Sequence, residues 1–131
     1  MNITNENKMN AKELRVGNYY NHNAEIKKIT PNDILEVWES ERIWCKPIPL
    51  TEEWLVKLGF EKSEKGSVSI QFNIGENPLT KDWIMQLVWL KTLPDYNLEE
   101  SLFYRNGFHK LKHVHQLQNL YFALTGQELE I

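Results

Sequence analysis

The stretch from His113 to Gly126, HVHQLQNLYFALTG, constrains the fold more than any other part of the chain. Val114, Leu117, Leu120, Tyr121 and Leu124 keep to one face of a 3.6-residue period. Gly126 stands where a left-handed residue ends a helix without a Cβ penalty. The spacing predicts a helix that closes the domain. No charged residue lies between Val114 and Gln127, so the outer face carries Gln116, Gln118, Asn119 and Phe122. A solvated helix ordinarily shows Lys and Glu on that side. An uncharged outer face therefore predicts a second contact, either with another part of the domain or with a partner.

The entrance to this helix lacks the usual local signals. No Ser, Thr, Asp or Asn stands at the N-cap, and no acid occupies the first turn. Lys110 and Lys112 lie just upstream, where positive charge opposes the helix dipole. Two readings follow. Either tertiary packing holds the helix, or free N–H groups together with Lys110, Lys112, His113 and His115 make an anion site.

Upstream, the pattern is strand-rich. Met1 to Lys12 is polar and aperiodic, and is expected to be a mobile tail before a single domain over residues 13–131. Leu14–Tyr20, Glu25–Thr30, Ile34–Trp38 and Arg42–Cys45 read as short strands. Turns are expected at Asn21-His22-Asn23 and Pro31-Asn32-Asp33. That predicts an antiparallel meander, with a small SH3-like barrel as its specific form. Thr51 caps a short helix, Glu52 and Glu53 suit its positive end, and Gly59 stops it. Trp54, Leu55 and Leu58 form its buried stripe.

Further strands follow. Val68, Ile70, Phe72 and Ile74 alternate with polar residues, as in a half-buried strand. The apolar run from Trp83 to Leu90 reads as strand in preference to helix, on its length and its Trp, Ile and Val content. Asn106-Gly107 signals a hairpin between Ser101–Tyr104 and Phe108–Lys112. The expected class is α+β, with meander, further strands and hairpin packed by two helices, the second C-terminal.

Composition narrows the function. At 131 residues, with 41% hydrophobic and 25% charged residues, the chain is long enough to bury a real core. The net charge of −3 divides into mildly basic ends and an acidic middle, unlike the basic face of a typical nucleic-acid binder. One cysteine, Cys45, excludes an internal disulfide and suits a reducing cytoplasm; its apolar neighbours predict a packed thiol. No apolar run is long enough to cross a membrane.

Catalytic signals are few. His109 and His113 are four apart, but they span the predicted strand-to-helix junction, so the spacing carries no metal-ligand meaning. Glu99 and Glu100, adjacent along the chain, point to opposite faces if extended. No nucleophile elbow, phosphate loop or dinucleotide fingerprint is present. The expectation leans away from an enzyme, with no cofactor or metal implied. Tyr19, Tyr20, Trp38 and Trp44, with Arg15, Lys27, Lys28 and Arg42 nearby, give a second reading, in which exposed aromatics stack bases and the cations hold phosphate; of adjacent Tyr19 and Tyr20, one is expected to be exposed.

Three segments taken together, Leu14 to Tyr19 (LRVGNY), Pro47 to Phe60 (PIPLTEEWLVKLGF) and Val114 to Leu129 (VHQLQNLYFALTGQEL), carry a resemblance. They resemble a family of small uncharacterised proteins encoded by Bacteroidetes-type gut bacteria, their phages and their mobile elements. The likeness runs from about Met9 to the C-terminus and does not extend over Glu61 to Tyr104. It brings no catalytic or binding residues with it. It implies a cytoplasmic accessory protein of a kind that phages encode. The leading expectation is a non-enzymatic protein that binds a host or phage protein, as an inhibitor of a host system in one form, through Gln116, Gln118, Asn119 and Phe122. Self-association through that face is a further form. The alternative is a nucleic-acid- or nucleotide-binding module using Lys110, Lys112, His113, His115, Tyr19, Lys27 and Lys28.

Overall fold

A computed structural model describes residues 9–40, 45–64, 69–76, 79, 83–90, 101–104 and 109–131. The described elements are α+β, with antiparallel strands throughout and a C-terminal helix. The chain divides into two compact units, Met1–Pro49 with His113–Glu128, and Leu50–Lys112 with Leu129–Ile131.

The first unit begins earlier than its polar sequence predicts. Met9 is buried in the core, and the Asn10 side chain caps a short 3-10 helix, Ala11–Glu13, by accepting the Lys12 N–H at 3.0 Å. The expected strand from Leu14 is delayed, because residues 15–18 form a turn. Asn18 N–H donates to the Arg15 carbonyl at 3.1 Å, and Gly17 takes φ 95°, a value that L side chains rarely adopt. Val16, expected on the inner face, is exposed in consequence.

Strands β1 (Tyr19–His22) and β2 (Glu25–Lys28) pair antiparallel. The connection is Asn23-Ala24, with φ 51° and 67°, the double left-handed geometry of a type I′ hairpin turn. Asn tolerates that region, whereas Ala pays for its Cβ. Ala24→Gly is therefore expected to raise the unfolding free energy by roughly 0.5–1 kcal/mol, measured by urea denaturation. An unchanged or lower midpoint would count against the turn assignment.

The expected third strand, Ile34–Trp38, is instead the middle of helix α1 (Pro31–Ser40). Its start carries a reciprocal cap. Asp33 N–H donates to Thr30 Oγ1 at 3.2 Å, and Thr30 N–H donates to Asp33 Oδ2 at 2.9 Å. Pro31 suits the first helical position because its missing N–H has no intrahelical partner there. Ile34 and Val37, one turn apart, face inward, and Val37 is buried with Met9, Leu14, Tyr20, Ile29 and Cys45. The N-terminal segment is thus a hairpin followed by a helix, so an SH3-like meander there is not what forms. The expected strand Arg42–Cys45 lies outside the described residues up to Trp44.

The second unit holds helix α2 (Glu52–Lys57) and the true meander. Thr51 Oγ1 accepts the Trp54 N–H at 3.3 Å, Gly59 follows with φ 100°, and Trp54, Leu55 and Leu58 are buried, as the sequence indicates. Strands β3 (Glu61–Glu64), β4 (Ser69–Glu76), β5 (Trp83–Leu90), β6 (Ser101–Tyr104) and β7 (His109–Leu111) form one antiparallel sheet in sequential order. The Trp83–Leu90 run is therefore strand. Strand β4 departs from the half-buried expectation: Gln71 and Asn73 are buried as well as Ile70 and Phe72. The turns expected at Lys65-Gly66 and Asn106-Gly107, and the pair Glu99 and Glu100, lie outside the described residues.

Candidate functional site

The closing helix, α3 (Val114–Thr125), belongs to the first unit and ends at Gly126 with φ 73°. Its entrance is better satisfied than local rules predict. His113 is the N-cap, and its N–H donates to Gln116 Oε1 at 3.1 Å. The Val114 N–H donates to the Ile48 carbonyl at 2.9 Å. The helix start thus spends these donors inside the unit, which removes part of what an anion would bind.

The uncharged face expected to meet a partner is largely turned inward. Gln118 is fully buried. Its Oε1 accepts the Tyr19 N–H at 2.8 Å and an Asn18 amide proton at 3.5 Å, while its Nε2 donates to the Gly17 carbonyl at 3.3 Å. Asn119 Oδ1 accepts from Asn18 Nδ2 at 2.9 Å, and Asn119 Nδ2 donates to the Glu13 carbonyl. Gln116 serves the N-cap. Two amides of α3 therefore hold the turn at residues 15–18 and the start of β1, and a third closes the helix's own first turn. Of the four expected contact residues, Phe122 alone is exposed, and the Arg15 guanidinium covers its ring at 3.8 Å from the centroid. Arg15 is also ion-paired to Glu128 and within 3.4 Å of Asn119 Oδ1. Leu124, expected in the core stripe, is 47% exposed.

Lys110 and Lys112 are exposed and lie in the second unit, whereas His113 and His115 lie in the first. His115 is only 1% exposed, with Nε2 at 3.3 Å from Glu13 Oε2, and its Nδ1 has no hydrogen-bond partner among the described residues. The His113 and His115 rings stack at 5.6 Å. Tyr19 and Tyr20 are both buried, at 3% and 4% exposure, so neither offers a free ring to a base. Lys28 sits 5.6 Å above the Tyr19 ring, and Lys27 lies 3.9 Å from Glu25.

Burial pushes the His115 imidazole below its ordinary pKa of 6.5, and the Glu13 carboxylate only partly opposes this. The unfolded chain then binds more protons than the folded one below about pH 6.5. The stability His115 contributes is fully present above that pH and is lost as pH falls through the lower, folded pKa. His115→Gln is expected to flatten this acid-side fall relative to wild type, with no difference in slope between pH ~7 and ~8. Urea midpoints across that range test it, and parallel curves on the acid side would contradict it.

The Cys45 thiol is buried and pushed up to about 12, first by burial and then by Asp33 and Glu36, so the thiolate is scarce at neutral pH. Glu52 and Glu53 act as helix-start charges and pair with Lys62 at 2.8 Å and Lys57 at 3.3 Å. Among the described residues no cluster of three His, Cys, Asp or Glu could hold a metal, and no helix is long and apolar enough to cross a membrane.

The outer face of α1 carries Trp38, expected on a strand as a stacking aromatic, together with Leu35, which the sequence did not single out. Leu35 is 52% exposed and Trp38 60%. They are three apart and so adjacent on the helix surface, and exposed Pro31 and Glu39 extend the same stripe. The signal was present in the sequence. The Thr30-Pro31-Asn32-Asp33 cap announces a helix, and a helix period puts Leu35 and Trp38 next to each other.

Comparison of the chain with models of known protein families, with curated proteins and with solved structures gave no match.

Proposed function

We propose that this chain is a non-enzymatic interaction protein that binds a host or phage protein in the host cytoplasm, as an accessory factor or inhibitor. The observation that carries the reading is the exposed Leu35–Trp38 pair on a well-capped helix. A Trp and a Leu each left more than half exposed, side by side, are what a partner surface buries. The likeness to phage and mobile-element proteins supports the cellular setting. The rival nucleic-acid reading keeps exposed Lys27, Lys28, Lys110 and Lys112 and exposed Trp38, but Tyr19 and Tyr20 are buried and Trp38 stands on a helix with acids and no base.

The test is affinity capture from host-cell lysate, with and without nuclease, followed by mass spectrometry. One stoichiometric protein retained after nuclease treatment is the expected result. Loss of all partners on nuclease treatment favours the nucleic-acid module. Capture of nothing, with a monomer in sedimentation, sinks the interaction reading.

A further inference from the structure

Helix α1 of the first unit carries one sign of charge. Between Pro31 and Ser40 it carries Asp33, Glu36 and Glu39 and no Lys or Arg. Asp33 is committed to the cap, and Glu36 accepts from Asn32 Nδ2 at 3.4 Å. Glu39 is exposed in the last turn, four residues on from Leu35, so it borders the apolar pair. An acid at a helix C-terminus opposes the macrodipole, and a cation there is favoured. The last turn supplies none of its own.

Resting on the interaction reading above, we infer that the Leu35–Trp38 stripe docks into an apolar groove bordered by Lys or Arg on a partner protein. Val37 is buried in the core and Ile34 packs against it, so Leu35 and Trp38, exposed beside them on the same helix, are presented on a formed element and lose little conformational freedom on binding. Trp38 fills the groove as the main anchor, Leu35 packs one turn before it, and Glu39 meets the basic rim. The same charge disfavours the two other common occupants of an exposed amphipathic helix. Nucleic acid and an anionic membrane surface both repel a helix with three acids and no base. A second copy of the chain is the remaining competitor, through exposed Ile26 beside Lys27 and Lys28 on β2.

The experiment places a photo-crosslinking amino acid at position 38, and at exposed Val16 as a control, in the full chain expressed in host cells. The adduct is identified, and that protein is purified and titrated by calorimetry at about 50 and about 300 mM salt. Expected are an adduct with a different protein from position 38 only, and binding that weakens with salt. Trp38→Ala should lower affinity by on the order of tenfold or more. Glu39→Lys should weaken binding and Glu39→Gln should do so less, although neither substitution lowers the urea midpoint, since removing the acid relieves its opposition to the helix dipole. No adduct from position 38, an adduct with a second copy, or affinity indifferent to Trp38→Ala and Glu39→Lys would overturn the inference. The last outcome, with a partner still bound, leaves the interaction reading standing on another face; failure of all capture removes both.

Discussion

Gln118→Leu is expected to lower the unfolding free energy by about 2–5 kcal/mol, because it strips partners from the Tyr19 N–H, in a buried contact, and from the Gly17 carbonyl, in a part-buried one. The Tyr19 N–H loses its acceptor at 2.8 Å and the Gly17 carbonyl loses its donor at 3.3 Å. The Leu side chain is close to Gln in size, so lost hydrogen bonding and not a cavity sets the cost. Stability of small domains is itself only about 5–15 kcal/mol, so the change is large. Gln118→Glu sharpens the argument. A carboxylate can still accept from Tyr19, but it faces the Gly17 carbonyl with no proton to give, and a buried charge is costly. The Glu variant is therefore expected to be weaker than the Leu variant at neutral pH and to recover relative to it in acid, where the carboxyl is protonated. Urea denaturation of both at two pH values decides this. Midpoints within error of wild type would return Gln118 to the surface role its sequence context suggests.

Phe72→Ala should cost about 3–5 kcal/mol. Phe72 is fully buried on β4, directly opposite Leu87 of β5, which is also fully buried. Truncation removes the ring's transfer energy and leaves a void beside a cross-strand neighbour that has no room to follow it. Phe72→Leu, which refills most of the volume, should recover more than half of the loss in the same assay. If Phe72→Ala left the midpoint unchanged, the packing of β4 against β5 would need to be redrawn.

Several elements could be read without coordinates because their determinants are local. Thr51 and Gly59 bracket α2 by a side-chain cap and a left-handed stop, and both act over three or four residues. Gly126 does the same for α3. The Trp83–Leu90 run is too short and too rich in β-formers to compete well as helix. The miss at α1 was also local. Ile34, Val37 and Trp38 favour strand by type, yet Thr30, Pro31 and Asp33 outweigh them by satisfying the first turn before any tertiary contact forms. That misreading hid the Leu35–Trp38 stripe, since a strand would have sent those two residues to opposite faces.

The amides of α3 are a different case. Periodicity places Gln118 and Asn119 away from the apolar stripe, and by sequence such a face is equally suited to water, a partner or the chain itself. The choice lies in residues a hundred positions earlier: the turn at Arg15–Asn18 exposes a carbonyl and an N–H that need partners, and Gln118 supplies both. The burial of both Tyr19 and Tyr20 has the same origin, since a strand alternates its side chains but does not say what covers either face. By itself the sequence determined the bounds of α2, the end of α3, the strand at Trp83–Leu90 and that the chain is α+β, because side-chain caps, left-handed glycines and hydrophobic period act over a few residues. Only the tertiary structure decided which polar groups are inside and which apolar ones remain outside, because an amide is satisfied, and a ring is covered, by whatever distant segment is packed against it.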